Sequence, residues 1–206
     1  MSVFNWLRKK AESPQELNDR AMLLHQKGKI EESTRCAMRS AEMGDPMGKL
    51  LYAAALLGGK GAQQDVPRGI ELMKESAAEG CVPAQMSLSD WYMSGSFVEQ
   101  DEQQGFALMQ QAAQTGYPIA ERKLGLMYAH AMGTEEDLGQ AHHWLEKAAA
   151  KNDTEAQYQL GLMYGIGLGV ESSMEEAYSW FAKAADLGCE KAIQKCEELL
   201  AACGEK

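Results

Sequence analysis

Apolar side chains recur along this chain at helical spacing, in stretches that end on glycine at a fixed interval. From Ala156 the apolar positions are Ala156, Leu160, Leu162, Met163 and Tyr164, a three-and-four spacing that fills one helical face. The run Gly165-Ile166-Gly167-Leu168-Gly169 then breaks the pattern. A second stretch presents Ala177, Trp180, Phe181, Ala184 and Ala185 and stops at Gly188. Both have start signals: Thr154 with Gln157 three residues on, and Ser173 with Glu176, each a capping-box pattern. The unit therefore reads as a helical hairpin, helix A followed by helix B.

The hairpin repeats. Gly44, Gly80, Gly116 and Gly188 fall on one 36-residue grid, and the missing point is Asn152, the other residue that tolerates a left-handed helix end. On the same grid stand Ala41, Ala77, Ala113, Ala149 and Ala185. Tyr92, Tyr128 and Tyr164 form a third column, and Leu88, Leu124 and Leu160 a fourth. Leu72, Leu108, Trp144 and Trp180 form a fifth, read as core. Asp65, Asp101 and Asp137 precede helix B as N-caps, with Ser173 in the last copy. The small residues Gly69, Gly105, Ala141 and Ala177 permit close helix approach. Self-similarity at this period predicts a stack of hairpins, each burying its apolar face on the next.

The pattern Ala-x-x-x-Leu-Gly-x-x-Tyr-x-x-Gly-x-Gly-Val, then Asp-x-x-x-Ala-x-x-Trp-x-x-x-Ala-Ala-x-x-Gly, resembles the Sel1-like repeat, a relative of the tetratricopeptide repeat. It is nearly complete from Ala156 to Gly188 and strong from Ala120 to Asn152. Two weaker copies begin at Gly48, with Tyr52 in the Leu column and Leu56 in the Tyr column, and at Ala84. In the latter the loop Gly95-Ser96-Phe97-Val98 keeps a single Gly. The resemblance implies an all-α fold, a right-handed superhelical solenoid of antiparallel helical hairpins. The expected organisation is a flexible segment at 1–12, a capping hairpin at 13–45, and repeats at 46–81, 82–117, 118–153 and 154–189, with a capping helix and tail at 190–206. The first hairpin opens on Ser13-Pro14-Gln15-Glu16, an N-cap with Pro at the first helical position, and turns at Gly28-Lys29.

Charge narrows the partner. The net charge is −10 and the pI about 4.9, the opposite of a phosphate-binding surface, so no nucleic acid is expected. An acidic surface suits solubility, a monomer in isolation, or a partner protein with a basic surface. No apolar run approaches a membrane span, so no stable membrane insertion is expected, and the start lacks a leader pattern, which predicts a cytoplasmic location. Five cysteines, Cys36, Cys81, Cys189, Cys196 and Cys203, with no Cys-x-x-Cys spacing, argue against disulfides or zinc.

Candidate chemistry is sparse. His25, His130, His142 and His143 form no His-Glu-x-x-His pattern. Gly165 to Gly169 follows a helix instead of a strand and is an inter-helix turn, not a phosphate loop. Glu135-Glu136-Asp137 and Glu175-Glu176 stand where helix B begins, favourably placed for the helix dipole. The reading is therefore not an enzyme, with no cofactor and no metal. The resemblance implies an adaptor or scaffold that binds a partner protein. The more specific expectation, an immunity or chaperone protein for a secreted bacterial effector, follows from an acidic curved surface that suits an effector with a basic face. Partner-binding residues are expected on helix A of the middle repeats, the concave side of a solenoid, at Met86, Asp90, Trp91, Arg122 and Tyr158. These break the repeat's regularity, and Trp91, Arg122 and Tyr158 are of the types enriched in hot spots. Competing surfaces are the outer face of helix B and the acidic loops at Glu135 and Glu136. Competing functions are the repeat scaffold of an enzyme and a membrane-surface regulator acting through Phe4, Trp6 and Leu7 with Arg8, Lys9 and Lys10.

Overall fold

The computed structural model describes residues 12–204, and among them all regular structure is helical. The helices are α1 (Pro14–Gln26), α2 (Ile30–Glu42), α3 (Pro46–Gly58), α4 (Val66–Ala78), α5 (Val82–Ser94) and α6 (Glu102–Gln114). They continue as α7 (Pro118–Ala129), α8 (Leu138–Ala149), α9 (Thr154–Ile166), α10 (Met174–Asp186) and α11 (Glu190–Gly204). Two compact units divide within α5, one through Leu88 and the other from Ser89. The first stacks α1 to α4 as successive antiparallel hairpins, and the second does the same with α6 to α11.

Helix starts are written in short polar side chains. Ser13 and Glu16 complete a reciprocal capping box. Asp45, Asp65, Asp101 and Asp137 each accept from the N–H three residues on, at 2.7 to 3.1 Å. The Ser173 hydroxyl accepts from the Glu176 N–H at 3.2 Å, the first of the two capping-box bonds. Each such cap is worth about 1 kcal/mol.

Two sequence expectations shift by a residue or two. The cap of α9 is Asp153, whose Oδ1 accepts from the Ala156 N–H at 2.9 Å. Thr154 is thus the first helical residue, and Gln157 turns away to donate to the Ala149 carbonyl. A carboxylate one residue upstream is the stronger acceptor and takes the cap. Glu135 and Glu136 precede the cap Asp137 and lie in the loop, whereas Glu175 and Glu176 do occupy the first turn of α10.

The helix ends follow the grid. Gly44, Gly80, Gly116 and Gly188 have φ between +83° and +87°, and Asn152 sits at +64°. These are the left-handed positions that let the chain reverse after helix B. Within the glycine run, Gly165 remains inside α9 and Gly167 is the left-handed cap.

Packing is set by two reciprocal sets of columns. Leu124 and Leu160 are fully buried and Leu88 nearly so. On helix B the deepest column of large side chains is Met73, Met109, Leu145 and Phe181, one residue beyond the column that carries the tryptophans. Trp144 and Trp180 are half-buried, with Lys147 and Lys183 over their rings at 4.2 and 3.8 Å. Where helix B presents Gly69 or Gly105, helix A presents the large Leu57 or Met93 against it. Where helix B presents Ala141 or Ala177, the matching helix A residues are Ala129 and Gly165. Volume is thus traded between facing positions, as close packing demands.

Candidate interaction surface

In the helix A rows singled out in the sequence, most of the polar groups are engaged within the chain. In the second unit the Lys123 ammonium holds both carboxylate oxygens of Asp90, at 2.7 and 2.8 Å. Arg122 Nε lies 2.9 Å from Asp153 Oδ1, the same oxygen that caps α9. Glu121, 2% exposed, occupies the column of Gln85 and Gln157, whose amides donate to the Ala77 and Ala149 carbonyls. A carboxylate has no proton to donate, so Glu121 instead accepts from the Lys151 ammonium at 2.7 Å. The Glu121–Lys151 bond closes one hairpin, and the others run from one hairpin to the next.

Of the expected partner contacts, Asp90 is exposed but ion-paired, and Arg122 is half-buried in its bridge to Asp153. Tyr158 is half-buried against Phe181, ring centroids 5.5 Å apart, in the cluster that also holds Leu162. Met86 lies in the first unit and is half-buried on α5. Trp91 differs from all of these. It stands in the column of Met127 and Met163, both only 4% exposed, yet it is half-buried and packs its ring on Phe97 at 4.7 Å. Phe97 itself is 40% exposed.

Phe97 was not among the residues expected to matter, although the grid marks it. Its counterparts are Gly61, Gly133 and Gly169, each at positive φ and each packed too closely against a helix for a Cβ. In those loops an added carbon would press on Ile30 and Thr34, on Glu102, or on Leu138. A phenylalanine excludes that arrangement, and Phe97 is not in the left-handed region. Its ring lies on Trp91 instead.

Other clusters have the outline of chemistry without its conditions. His142 Nε2 is 3.2 Å from the Tyr164 hydroxyl and its Nδ1 is 3.4 Å from Glu146. Burial, with the Glu146 and Glu176 carboxylates, pushes the Tyr164 phenol above its ordinary pKa, the wrong direction for an activated nucleophile. Among the described residues no group of three His, Cys, Asp or Glu side chains is placed to hold a metal ion. None of the described helices is long and apolar enough to cross a membrane. The residues of the membrane-surface reading, Phe4 to Lys10, lie outside the described residues. In the first unit an apolar cavity of about 410 Å³ opens between α1, α2 and α3. Its Ser33 and Thr34 hydroxyls already donate to the Ala21 and Lys60 carbonyls.

Comparison with known proteins agrees with this geometry. The Sel1 repeat family matches residues 47–81, 82–117, 118–153 and 154–189. Among solved structures, a Sel1 repeat protein from Oxalobacter formigenes is 23% identical with a TM-score of 0.81, over 93% of this chain and 81% of that one. A protective antigen of uropathogenic Escherichia coli is 23% identical with a TM-score of 0.78 over 90% of this chain, which spans 41% of that protein. An immunity protein of Pseudomonas aeruginosa is 16% identical with a TM-score of 0.58, over 93% of this chain and 72% of that one. No curated protein matches the chain. With four consecutive repeats covering most of its length and an all-helical hairpin fold to match, the chain belongs to the Sel1 repeat family.

Proposed function

We propose that this chain is a non-catalytic interaction module that binds a partner protein on the helix A surface of its middle repeats. Trp91 carries the reading: a tryptophan left half-exposed at the position where the two following copies bury Met127 and Met163. Large aromatics on rigid elements are the usual anchors of protein interfaces. Asp90, Arg122 and Tyr158 surround the same rows, and Met86 is a separate candidate contact in the first unit. The finer reading is an immunity or chaperone protein for a secreted effector. It draws on the fold shared with immunity proteins of Pseudomonas aeruginosa and on the net charge of −10.

The test begins with purification of the full chain with its bound partner, followed by affinity measurements on variants. Trp91→Ala, and separately the Arg122→Ala/Tyr158→Ala pair, should each weaken the complex by about 2 kcal/mol or more. Circular dichroism should remain helical throughout. The opposing surface is the outer face of α10, where Met174 and Tyr178 are exposed. Loss of binding in Met174→Ser/Tyr178→Ser, with full affinity in the helix A variants, would overturn the proposal.

A further inference from the structure

The chain covers its other described tryptophans with its own cations. Lys147 sits over Trp144 and Lys183 over Trp180, in both cases three residues along the same helix. Trp91 has Ser94 at that offset, and no Lys, Arg or His occurs anywhere from Ser89 to Glu121. The first cations after that stretch, Arg122 and Lys123, are held by Asp153 and Asp90. Trp91 and Phe97 therefore present an aromatic surface over which no cation sits among the described residues.

Apart from Lys123, neutralised in its pair with Asp90, the charged residues flanking this surface are acidic. Glu99, Asp101 and Glu102 are exposed in and just after the loop that carries Phe97, and Glu135 and Glu136 are exposed in the next loop. A cleft of about 550 Å³ between the two loops is lined by Asp101, Glu102 and Glu135. Asp101 caps α6, and Glu102 accepts only the Gln100 amide, at 3.2 Å. Glu99, Glu135 and Glu136 have no partner among the described residues. Asp101 is four steps along the chain from Phe97, at most about 14 Å of extended backbone. A short peptide therefore reaches both the rings and the carboxylates.

Resting on the interaction-module reading, we propose that the Trp91–Phe97 surface docks a basic segment of the partner protein, one in which an arginine or lysine adjoins a large apolar side chain. The apolar side chain covers the two rings, which lose water on one face. The cation enters the field of Asp101, Glu102 and Glu135, in reach of the aromatic face that the chain elsewhere gives to its own lysines. An acidic segment would meet like charge along the cleft, and a purely apolar one would leave the cleft unmatched.

The test pans a random peptide library on the wild-type chain, with Trp91→Ala/Phe97→Ala as counter-selection. Surviving peptides should carry Lys or Arg beside a large apolar residue and bind the wild type about tenfold or more tightly than the double variant. Glu102→Gln/Glu135→Gln leaves the rings in place. It should weaken the same peptides at low salt and narrow the gap at high salt, where the field is screened. Survivors that are acidic or uncharged would overturn the assigned partner chemistry. Loss of all wild-type-binding peptides to the counter-selection, because they bind the Trp91→Ala/Phe97→Ala variant equally, would overturn the site while leaving an interaction module in place.

Discussion

Arg122 and the helix that follows its hairpin share one carboxylate: Asp153 Oδ1 accepts from the Ala156 N–H and lies 2.9 Å from Arg122 Nε. The cap of α9 is thus held in place by α7, so the residue that starts one helix A also ties it to the preceding one. Asp153 is 9% exposed at the side chain and Arg122 21%, which makes this a sheltered pair. Arg122→Ala should cost about 1.5 kcal/mol, the low end for a hydrogen bond to a charged group. Asp153→Ala, which also loses the cap, should cost about 1 kcal/mol more. Urea denaturation measures both. An unmoved midpoint for Arg122→Ala would mean that the bridge adds nothing and that the guanidinium is free for a partner.

The tryptophan of helix B is less important to the core than its size suggests. Trp180 is half-buried under Lys183, whereas Phe181 is 3% exposed and sits in the last cluster with Ala177, Ala184 and Ala192. Phe181→Ala should cost about 3–5 kcal/mol, the range for deleting a buried aromatic. Trp180→Ala should cost about 1.5 kcal/mol, in keeping with partial burial. Reversal of that order in chemical denaturation would place the core on the tryptophan column.

That pair also shows what the sequence could and could not display. Repeat columns gave the helix ends, the caps and the Leu rows, because each depends on a residue type at one position: a left-handed φ needs Gly80 or Asn152, a cap needs Asp101 or Ser173. Burial depends on rotation about the helix, and one residue turns the face by about 100°. A column of large aromatics one step from a column of Met, Leu and Phe is therefore easily taken for the deeper one. The candidate surface was legible in part for a related reason. Arg122 and Tyr158 are irregular in their row, but the irregularity answers other residues of the chain, Asp153 and Phe181. A single column does not reveal which distant column it complements. Phe97 was visible as a departure from Gly61, Gly133 and Gly169, once the loop is compared position by position and not as a count of glycines.

In the first unit, Lys49 should make stability sensitive to acid. Its ammonium is 3.0 Å from Glu75 and 2.6 Å from Glu79. The hydrogen bond from Lys49 holds the Glu75 carboxyl below its ordinary value of 4.5, aided by the Lys49 and Arg68 charges. The bonds to Glu79 and Glu75 raise the Lys49 ammonium above its ordinary value of 10.5. A carboxyl depressed on folding stabilises above pH 4.5, and that contribution fades as pH falls through its folded value. The lysine's contribution is complete below pH 10.5 and fades only as pH rises beyond it. Lys49→Met should therefore lower the urea midpoint at pH 7 and have a smaller effect at pH 3. An equal effect at both pH values would mean that the lysine stem, not its charge, provides the stabilisation.

The contact between Gly161 and Phe181 yields the sharpest test of how the repeats tolerate different cores. A Cβ at Gly161 would lie 2.5 and 2.6 Å from the Cε1 and Cδ1 atoms of the Phe181 ring. Gly125 faces Leu145 in the same way, its added carbon 2.9 Å from Leu145 Cγ. In the two earlier copies the matching pairs are Ala53 with Met73 and Ser89 with Met109, a Cβ on helix A and an unbranched side chain on helix B. The bulky ring or branch thus occurs where helix A has no side chain, and methionine occurs where it has one. Gly161→Ala gains about 1 kcal/mol in helix propensity but forces a rigid ring out of place, which typically costs about 1–3 kcal/mol. The single substitution should therefore destabilise. Phe181→Met alone should destabilise too, by leaving space beside Gly161. Combined, the two changes reproduce the Ala53/Met73 pairing, and methionine can bend around the new methyl group. The double variant should be more stable than the sum of the singles predicts, with a favourable coupling of about 1 kcal/mol or more. A double-mutant cycle in urea measures this directly, and simple additivity would show that the two columns vary independently.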